Sequence, residues 1–106
     1  MAKGFGNLMR QAQQMQKQIA ELQEGFKSRM VEGEAGQGKA KATVTLAGEV
    51  KSVWVDVNIV DPQDTGMMED LITVAVNDAL TKARAQREEE MGKITGGMAG
   101  KFPGLL

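Results

Sequence analysis

Between residues 8 and 26, apolar side chains recur at alternating intervals of four and three residues. The intervening positions are mostly Gln, Lys, Arg and Glu, so this period of about 3.5 residues predicts an amphipathic helix with a seam like that of a coiled coil. We predict the helix over residues 7–28, with a length of roughly 30 Å at about 1.5 Å per residue. A chain of 106 residues has little surface of its own to cover such a seam, so we expect a homodimer. The predicted interface residues on the seam are Leu8, Ala12, Met15, Ile19, Leu22 and Phe26.

The segment that follows predicts a β-sheet. Residues 29–60 alternate apolar and polar side chains and are divided by short turns that contain glycine, which is typical of a three-stranded antiparallel meander. Gly33 indicates a bend or bulge, and residues 36–38 indicate a hairpin turn. The third strand is predicted to place Val53, Val55, Val57 and Ile59 on one face.

A second helix with a broad apolar face is predicted after the sheet, with Asp64 or Thr65 as its N-terminal cap and Gly92 as its C-terminal cap. The fold class is therefore α+β, a single domain over residues 1–106 in the order α-β-β-β-α. Its predicted parts are a frayed N-terminus at 1–6, helix 1 at 7–28, the antiparallel sheet at 29–60, helix 2 at 65–91 and a flexible glycine-rich tail at 92–106.

Composition argues against several classes of function. The chain has no cysteine and no histidine, which removes thiolate chemistry and the commonest general base and metal ligand. We find no catalytic constellation, cofactor motif or metal-ligand cluster, so we expect no enzyme activity, cofactor, metal or small-molecule substrate. No run approaches the roughly 20 apolar residues of a membrane span, and we expect a soluble cytoplasmic protein without a membrane partner.

Charge is segregated along the sequence although the net charge is only −1. Residues 1–31 carry a net charge of +3, residues 32–78 carry −6, and residues 79–106 carry +2. Cations therefore lie on the two predicted helices, and acids lie between them.

Cations on the helices are candidates for binding DNA phosphates. Lys3, Arg10 and Lys17 recur every seven residues on the polar side of helix 1, where Gln13 and Gln14 could reach base edges. A solvated helix face is the alternative. A second cluster on helix 2 consists of Lys82, Arg84 and Arg87, part of which an Arg84–Glu88 salt bridge would explain. Two copies of these stripes in a dimer could contact both sides of a duplex.

Two further features have simpler explanations. Trp54, among polar neighbours, is predicted to be a subunit-interface residue rather than a platform for stacking bases. The cluster of Asp56, Asp61 and Asp64 is predicted to be solvated surface, with divalent-metal binding as the alternative.

Five segments occurring in order resemble the YbaB/EbfC family of small bacterial nucleoid-associated proteins. They are NLMRQAQQMQ at 7–16, VEGEAG at 31–36, GEV at 48–50, AVNDA at 75–79 and MGKITGG at 91–97. The resemblance implies an intertwined homodimer with protruding, tweezer-like helices. It also implies binding of double-stranded DNA, association with the nucleoid, and a part in nucleoid organisation or gene expression.

A protein-interaction scaffold with incidental DNA affinity is the alternative function. It is favoured by the low net charge, by methionines that adapt to varied partners, and by the apolar sequence FPGLL at 102–106.

Overall fold

The computed structural model describes residues 2–96. In order it contains α1 (Ala2–Phe26), β1 (Met30–Ala35), β2 (Ala40–Thr45), β3 (Val50–Val55), a short 3-10 helix (Val57–Ile59) and α2 (Gly66–Thr95). The three strands form one antiparallel sheet with β2 in the centre. The predicted α+β fold and its α-β-β-β-α order are confirmed.

The core lies between one face of the sheet and the first half of α2. Ala75, Ala79 and Ala83 recur every four residues on α2 and are completely buried, because a row of such small side chains lets the helix approach the sheet closely. Phe26, at the end of α1, closes the core. The remaining buried members are Ala35, Ala40, Ala42, Val44 and Leu46 from the sheet and the turn after it.

Gly33 is the point of closest approach between β1 and α2. It pairs regularly with Ala42, so the prediction of a bend or bulge at Gly33 was wrong. A Cβ atom at Gly33 would lie 2.2 Å from the Ala79 backbone nitrogen, and glycine is therefore required for packing rather than for backbone freedom. The irregular register lies instead between Thr43 and Val44 of β2, opposite β3. The hairpin turn predicted at 36–38 is present, with positive φ angles at all three residues.

Both helices extend further than the sequence predicted. α1 begins at Ala2, so residues 2–6 are helical rather than frayed and Asn7 is not an N-terminal cap. α2 continues through Gly92 to Thr95, followed by Gly96 at the cap position. Glycine costs about 1 kcal/mol of helix propensity but keeps its backbone donor and acceptor, so the hydrogen-bond ladder can pass through it. Residues 97–106 of the predicted tail lie outside the described part of the chain.

The third strand is shorter than predicted. It ends at Val55 because Asp56 caps the 3-10 helix, its Oδ1 accepting a hydrogen bond from the Asn58 backbone N–H at 2.9 Å. The expected alternation therefore breaks down after Val55. The turn buries Ile59 in the subunit and leaves Val57 77% exposed.

Beyond the sheet, α1 and the C-terminal part of α2 pack side by side. With 30 residues, α2 is about 45 Å long. Leu22 of α1 lines a groove together with Ala85 and Ile94 of α2. We call α1 and residues 85–95 of α2 the helical arm. The molecule is elongated as a result, with extents of 74 × 22 × 17 Å.

Candidate nucleic-acid interface

The outward face of α1 is free of acidic residues up to residue 20, and Glu21 and Glu24 follow. The first 20 residues of the chain contain Lys3, Arg10 and Lys17 and neither Asp nor Glu. Arg10 and Lys17 are exposed and lie on the side of the helix opposite the buried Met15. Within residues 2–96 no carboxylate oxygen comes within 4.0 Å of either cationic group. Both charges are therefore available to a polyanion.

Two amides flank these cations. Gln13 and Gln14 are exposed on the same side of α1, so both can accept and donate hydrogen bonds to a molecule lying along it. Lys3 belongs to the first turn of α1, and its side chain lies outside the described part of the structure. The structure thus brings together Arg10, Gln13, Gln14 and Lys17.

The cations predicted on α2 differ from one another. Lys82 forms an ion pair with Asp78 at 3.1 Å and donates to the Glu32 carbonyl oxygen at 3.4 Å. Arg87 donates to the Leu46 carbonyl oxygen at the end of β2. Both side chains thus have contacts within the subunit that help to hold α2 on the sheet.

Arg84 is exposed on α2 and the predicted salt bridge to Glu88 is not formed within the described residues. Its position on the helix is rotated well away from Lys82, because residues two apart on a helix do not share a face. The structure therefore separates Arg84 from Lys82, whereas Arg87, three residues further on, is its neighbour along the helix.

An ion pair that the sequence analysis missed fixes the base of the helical arm. Both guanidinium nitrogens of Arg29, which lies just before β1, donate to the Glu90 carboxylate at 2.6 and 2.7 Å. This bidentate contact, with help from Gln86, lowers the pKa of Glu90 to about 2. A local helix-spacing rule could not find it, since its partners are 61 residues apart.

The sheet end of the molecule is acidic. Glu32 and Glu34 of β1 are exposed on the sheet face away from α2. Asp78 accepts from the Glu34 backbone N–H at 3.0 Å, and this contact, reinforced by Lys82, lowers the pKa of Asp78. Much of the negative charge predicted for residues 32–78 therefore lies on the sheet and its turns, away from the first 20 residues of the chain.

The seam of α1 is covered unequally by the same chain. Phe26 is only 3% exposed and Met15 is buried, whereas Leu8 remains 40% exposed. The rest of the predicted seam (Ala12, Ile19 and Leu22) is half-buried. The expectation that one chain could not cover the seam was therefore wrong for its C-terminal half, because α2 extends far enough to pack against it.

A larger exposed apolar surface lies around β3. Trp54 is exposed, and the Lys41 ammonium lies 5.8 Å from its ring centre. Five further apolar residues between the start of β3 and the start of α2 are exposed, with Val53 on the face of Ala42 and Trp54 on the opposite face beside Lys41. We call the six together the β3 patch: Val50, Val53, Trp54, Val57, Val60 and Met67. The concentration of valine in residues 50–60, in a strand at the edge of the sheet, was the available sequence signal.

The three aspartates singled out as a possible metal site have local roles. Asp56, Asp61 and Asp64 each accept a hydrogen bond from the backbone N–H two residues further on, at 2.9, 3.0 and 3.3 Å. Such contacts stabilise turns. Thr65 occupies the cap position of α2, and its hydroxyl donates to Glu69 at 2.7 Å rather than accepting from the backbone.

Comparison with known proteins identifies the family. The model of the YbaB/EbfC DNA-binding family matches residues 1–98. The chain belongs to this family. A nucleoid-associated protein from Paramagnetospirillum magneticum is 47% identical, over 91% of this chain and 90% of the relative. Another from Acetivibrio thermocellus is 42% identical, over 97% and 94%.

The fold of this YbaB/EbfC member also occurs in a solved structure. The crystal structure of an uncharacterised protein from Helicobacter pylori superimposes with a TM-score of 0.69, at 20% identity, and covers 85% of this chain and 91% of the other. A DNA-binding family is not a class of enzymes, which agrees with the absence of catalytic motifs from the sequence. No helix among residues 2–96 is both long and apolar enough to cross a membrane.

Proposed function

We propose that this protein is a non-enzymatic nucleoid-associated protein that binds double-stranded DNA as a homodimer. Binding is mainly through phosphate contacts from helix cations, and it contributes to nucleoid organisation and gene regulation in the cytoplasm. The observation that carries the proposal is the outward face of α1 up to residue 20, where Arg10 and Lys17 are exposed beside two glutamines and no acid occurs. Family membership supports DNA as the partner.

The distribution of charge favours an approach of DNA to α1 over the first 20 residues of the chain. Phosphates attract Arg10 and Lys17 but are repelled by Glu32, Glu34 and the acidic turns around the sheet. Of the cations on α2, Arg84 is the best candidate for a further phosphate contact, because Lys82 and Arg87 already bind groups of their own subunit.

A second copy supplies the rest of the interface in this proposal. We expect it to cover the β3 patch, since an edge strand with exposed valines and a tryptophan is a site for association. Trp54 and the exposed seam residue Leu8 remain candidate interface residues. Two subunits joined there would each present an arm, so that four or more cations act on one duplex.

The test is a double charge reversal on α1. Arg10→Glu with Lys17→Glu is expected to abolish the mobility shift of a random-sequence duplex, because two attractive contacts per subunit become repulsive. The mass in solution should be unchanged. Lys27→Glu with Lys39→Glu is the matched control, since it changes the net charge equally at exposed positions off this face. Unchanged DNA binding by the α1 variant would remove that face from the proposal.

The exposed β3 patch also favours a second candidate, a protein-interaction scaffold whose DNA affinity is incidental. Capture of partners from a lysate, with and without nuclease treatment, separates the two. Partners that are lost with nuclease support the DNA-binding proposal, and partners that persist after treatment and require the β3 patch support the scaffold.

A further inference from the structure

The first turns of α1 form a single helix with exposed residues on every side. Between residues 4 and 14 no side chain is buried, and the first buried residue in the described part of the helix is Met15. An α-helix with its side chains is about 10–12 Å across, and the major groove of DNA is about 12 Å wide. This part of α1 is therefore narrow enough to enter that groove.

Two amides and two cations form one compact face there, which we call the amide–cation face: Arg10, Gln13, Gln14 and Lys17. Residues three or four apart on a helix are neighbours, so each of the two amides lies beside both cations. All four side chains are exposed. Along the helix axis the two cations are about 10 Å apart, a distance that about three base pairs span, and the amides lie between them.

The composition of the amide–cation face favours DNA over a second copy of the chain as its occupant. The face contains no apolar residue and no acid. A second copy of it would bring four cations together without a counter-charge. The apolar seam with Leu8 and Met15 lies on the opposite side of the helix, so another subunit can cover the seam without covering the amides.

The two amides are suited to base edges as well as to phosphates. They are neutral, so they release no counterions and add nothing to the electrostatic part of the binding free energy. A glutamine side chain presents a donor and an acceptor side by side. This pair matches the N7 acceptor and the N6 amino donor that adenine presents in the major groove.

We infer that α1 enters the major groove by the amide–cation face. Gln13 and Gln14 hydrogen-bond to the edges of adenines, while the two cations contact phosphates on either side. This inference rests on the proposed function and adds base readout to its phosphate contacts. The protein therefore prefers sites with adenine beneath the two amides, although the larger part of its affinity does not depend on sequence.

The experiment uses the full chain and two short duplexes of one adenine-rich sequence, one natural and one with 7-deazaadenine in place of every adenine. The replacement removes the N7 acceptor from the major groove and keeps the base pairs and phosphates. The wild-type protein should bind the modified duplex about fivefold more weakly in anisotropy titrations. Gln13→Ala with Gln14→Ala should bind both duplexes equally, with the wild-type salt dependence because no charge is lost. Alanine is the best helix former, so α1 should stay folded.

Gln11→Ala with Gln16→Ala is the matched control, because it removes two exposed amides from other sides of the same helix and should keep the difference between the duplexes. Absence of any complex between the wild-type protein and the natural duplex would mean failure of the proposed function. Equal binding of both duplexes by the wild-type protein, or a difference that persists in Gln13→Ala with Gln14→Ala, would overturn base readout alone. A changed mass of that variant in solution would assign the amides to a subunit contact and also overturn it.

Discussion

At the scale of single residues, Gly33 shows that the lack of a side chain can determine how closely a strand and a helix pack. Strand β1 pairs regularly at Gly33, which is not part of a turn. The α2 backbone occupies the space that a side chain would need. The neighbouring alanines of α2 can approach only because no Cβ stands between strand and helix. A sequence motif rich in glycine therefore contains residues with different roles, since Gly36 and Gly38 nearby have the positive φ angles that a turn requires.

Gly33→Ala is expected to destabilise the protein by about 3 kcal/mol, the upper end of the usual cost of overpacking. The new Cβ would lie 2.2 and 2.5 Å from backbone atoms of Ala79 and Ala75, which cannot move without shifting α2. Urea denaturation measures the change. Gly25→Ala is the control, because its Cβ would meet nothing within 4 Å and a helical alanine should add up to about 1 kcal/mol. Equal stability of the two variants would contradict the packing role.

At the scale of elements, the arm is stable because α1 and α2 share their apolar surfaces and are joined at the base. The C-terminal part of the α1 seam packs into the core through Phe26, and Leu22 lies against it. The bidentate Arg29–Glu90 pair joins the start of β1 to the distal part of α2. One hydrophobic contact and one directional polar contact thus fix the angle between arm and sheet.

The Arg29–Glu90 pair should make stability depend on acid pH. The Glu90 pKa is about 2 in the folded protein, below its ordinary value of 4.5. A carboxylate with a depressed pKa stabilises the fold above the ordinary value, and that contribution is lost as the pH falls from about 4.5 toward 2. Glu90→Gln should therefore flatten the decline of the unfolding free energy in this range, measured by urea titrations at several pH values. Glu88→Gln, on the same helix, serves as control. An unchanged decline in Glu90→Gln would exclude this linkage.

At the scale of the whole molecule, the chain separates its charges in space. Up to residue 20, α1 holds cations and no acid, whereas six of the nine acids of residues 32–78 lie on the sheet and its turns. A net charge of −1 therefore conceals a dipolar particle with an apolar surface at the β3 patch. In the proposed dimer, association covers the patch and leaves the two arms to contact DNA.

The salt dependence of DNA binding should show whether the cations of both subunits contact the same duplex. If Arg10 and Lys17 of both subunits each neutralise one phosphate, the logarithm of the binding constant should fall with the logarithm of salt concentration with a slope of about −3.6. Val53→Asn with Val57→Asn should prevent dimer formation by placing amides in the β3 patch, and the slope should fall to about −1.8. Anisotropy titrations and sedimentation measure both quantities.

Val74→Asn is the control for this pair, since Val74 is exposed on the side of α2 away from the buried alanines. A doubly substituted protein that sediments as a dimer would show that the β3 patch is not the interface. One that sediments as a monomer with the wild-type slope would show that the subunits do not act jointly on DNA.

The helices, the meander and the polarity of α1 could be predicted without the structure. These follow from periodicity and from turn chemistry, which act between residues close in the chain. The family was also recognisable, because its five short segments occur in order. Element ends were less predictable: glycines at 4, 6 and 92 lower helix propensity, yet both helices pass through them.

Which of these surfaces remain available depends on contacts between distant parts of the chain. Packing against the sheet and the buried alanines of α2 covers Phe26 within the subunit, and contacts with distant carbonyl groups and Asp78 occupy Arg87 and Lys82. The 61-residue separation of Arg29 and Glu90 likewise hides their pairing from any local rule. Periodicity indicates which face of an element is apolar or charged. The burial and pairing of the side chains on that face depend on which other parts of the chain lie against it.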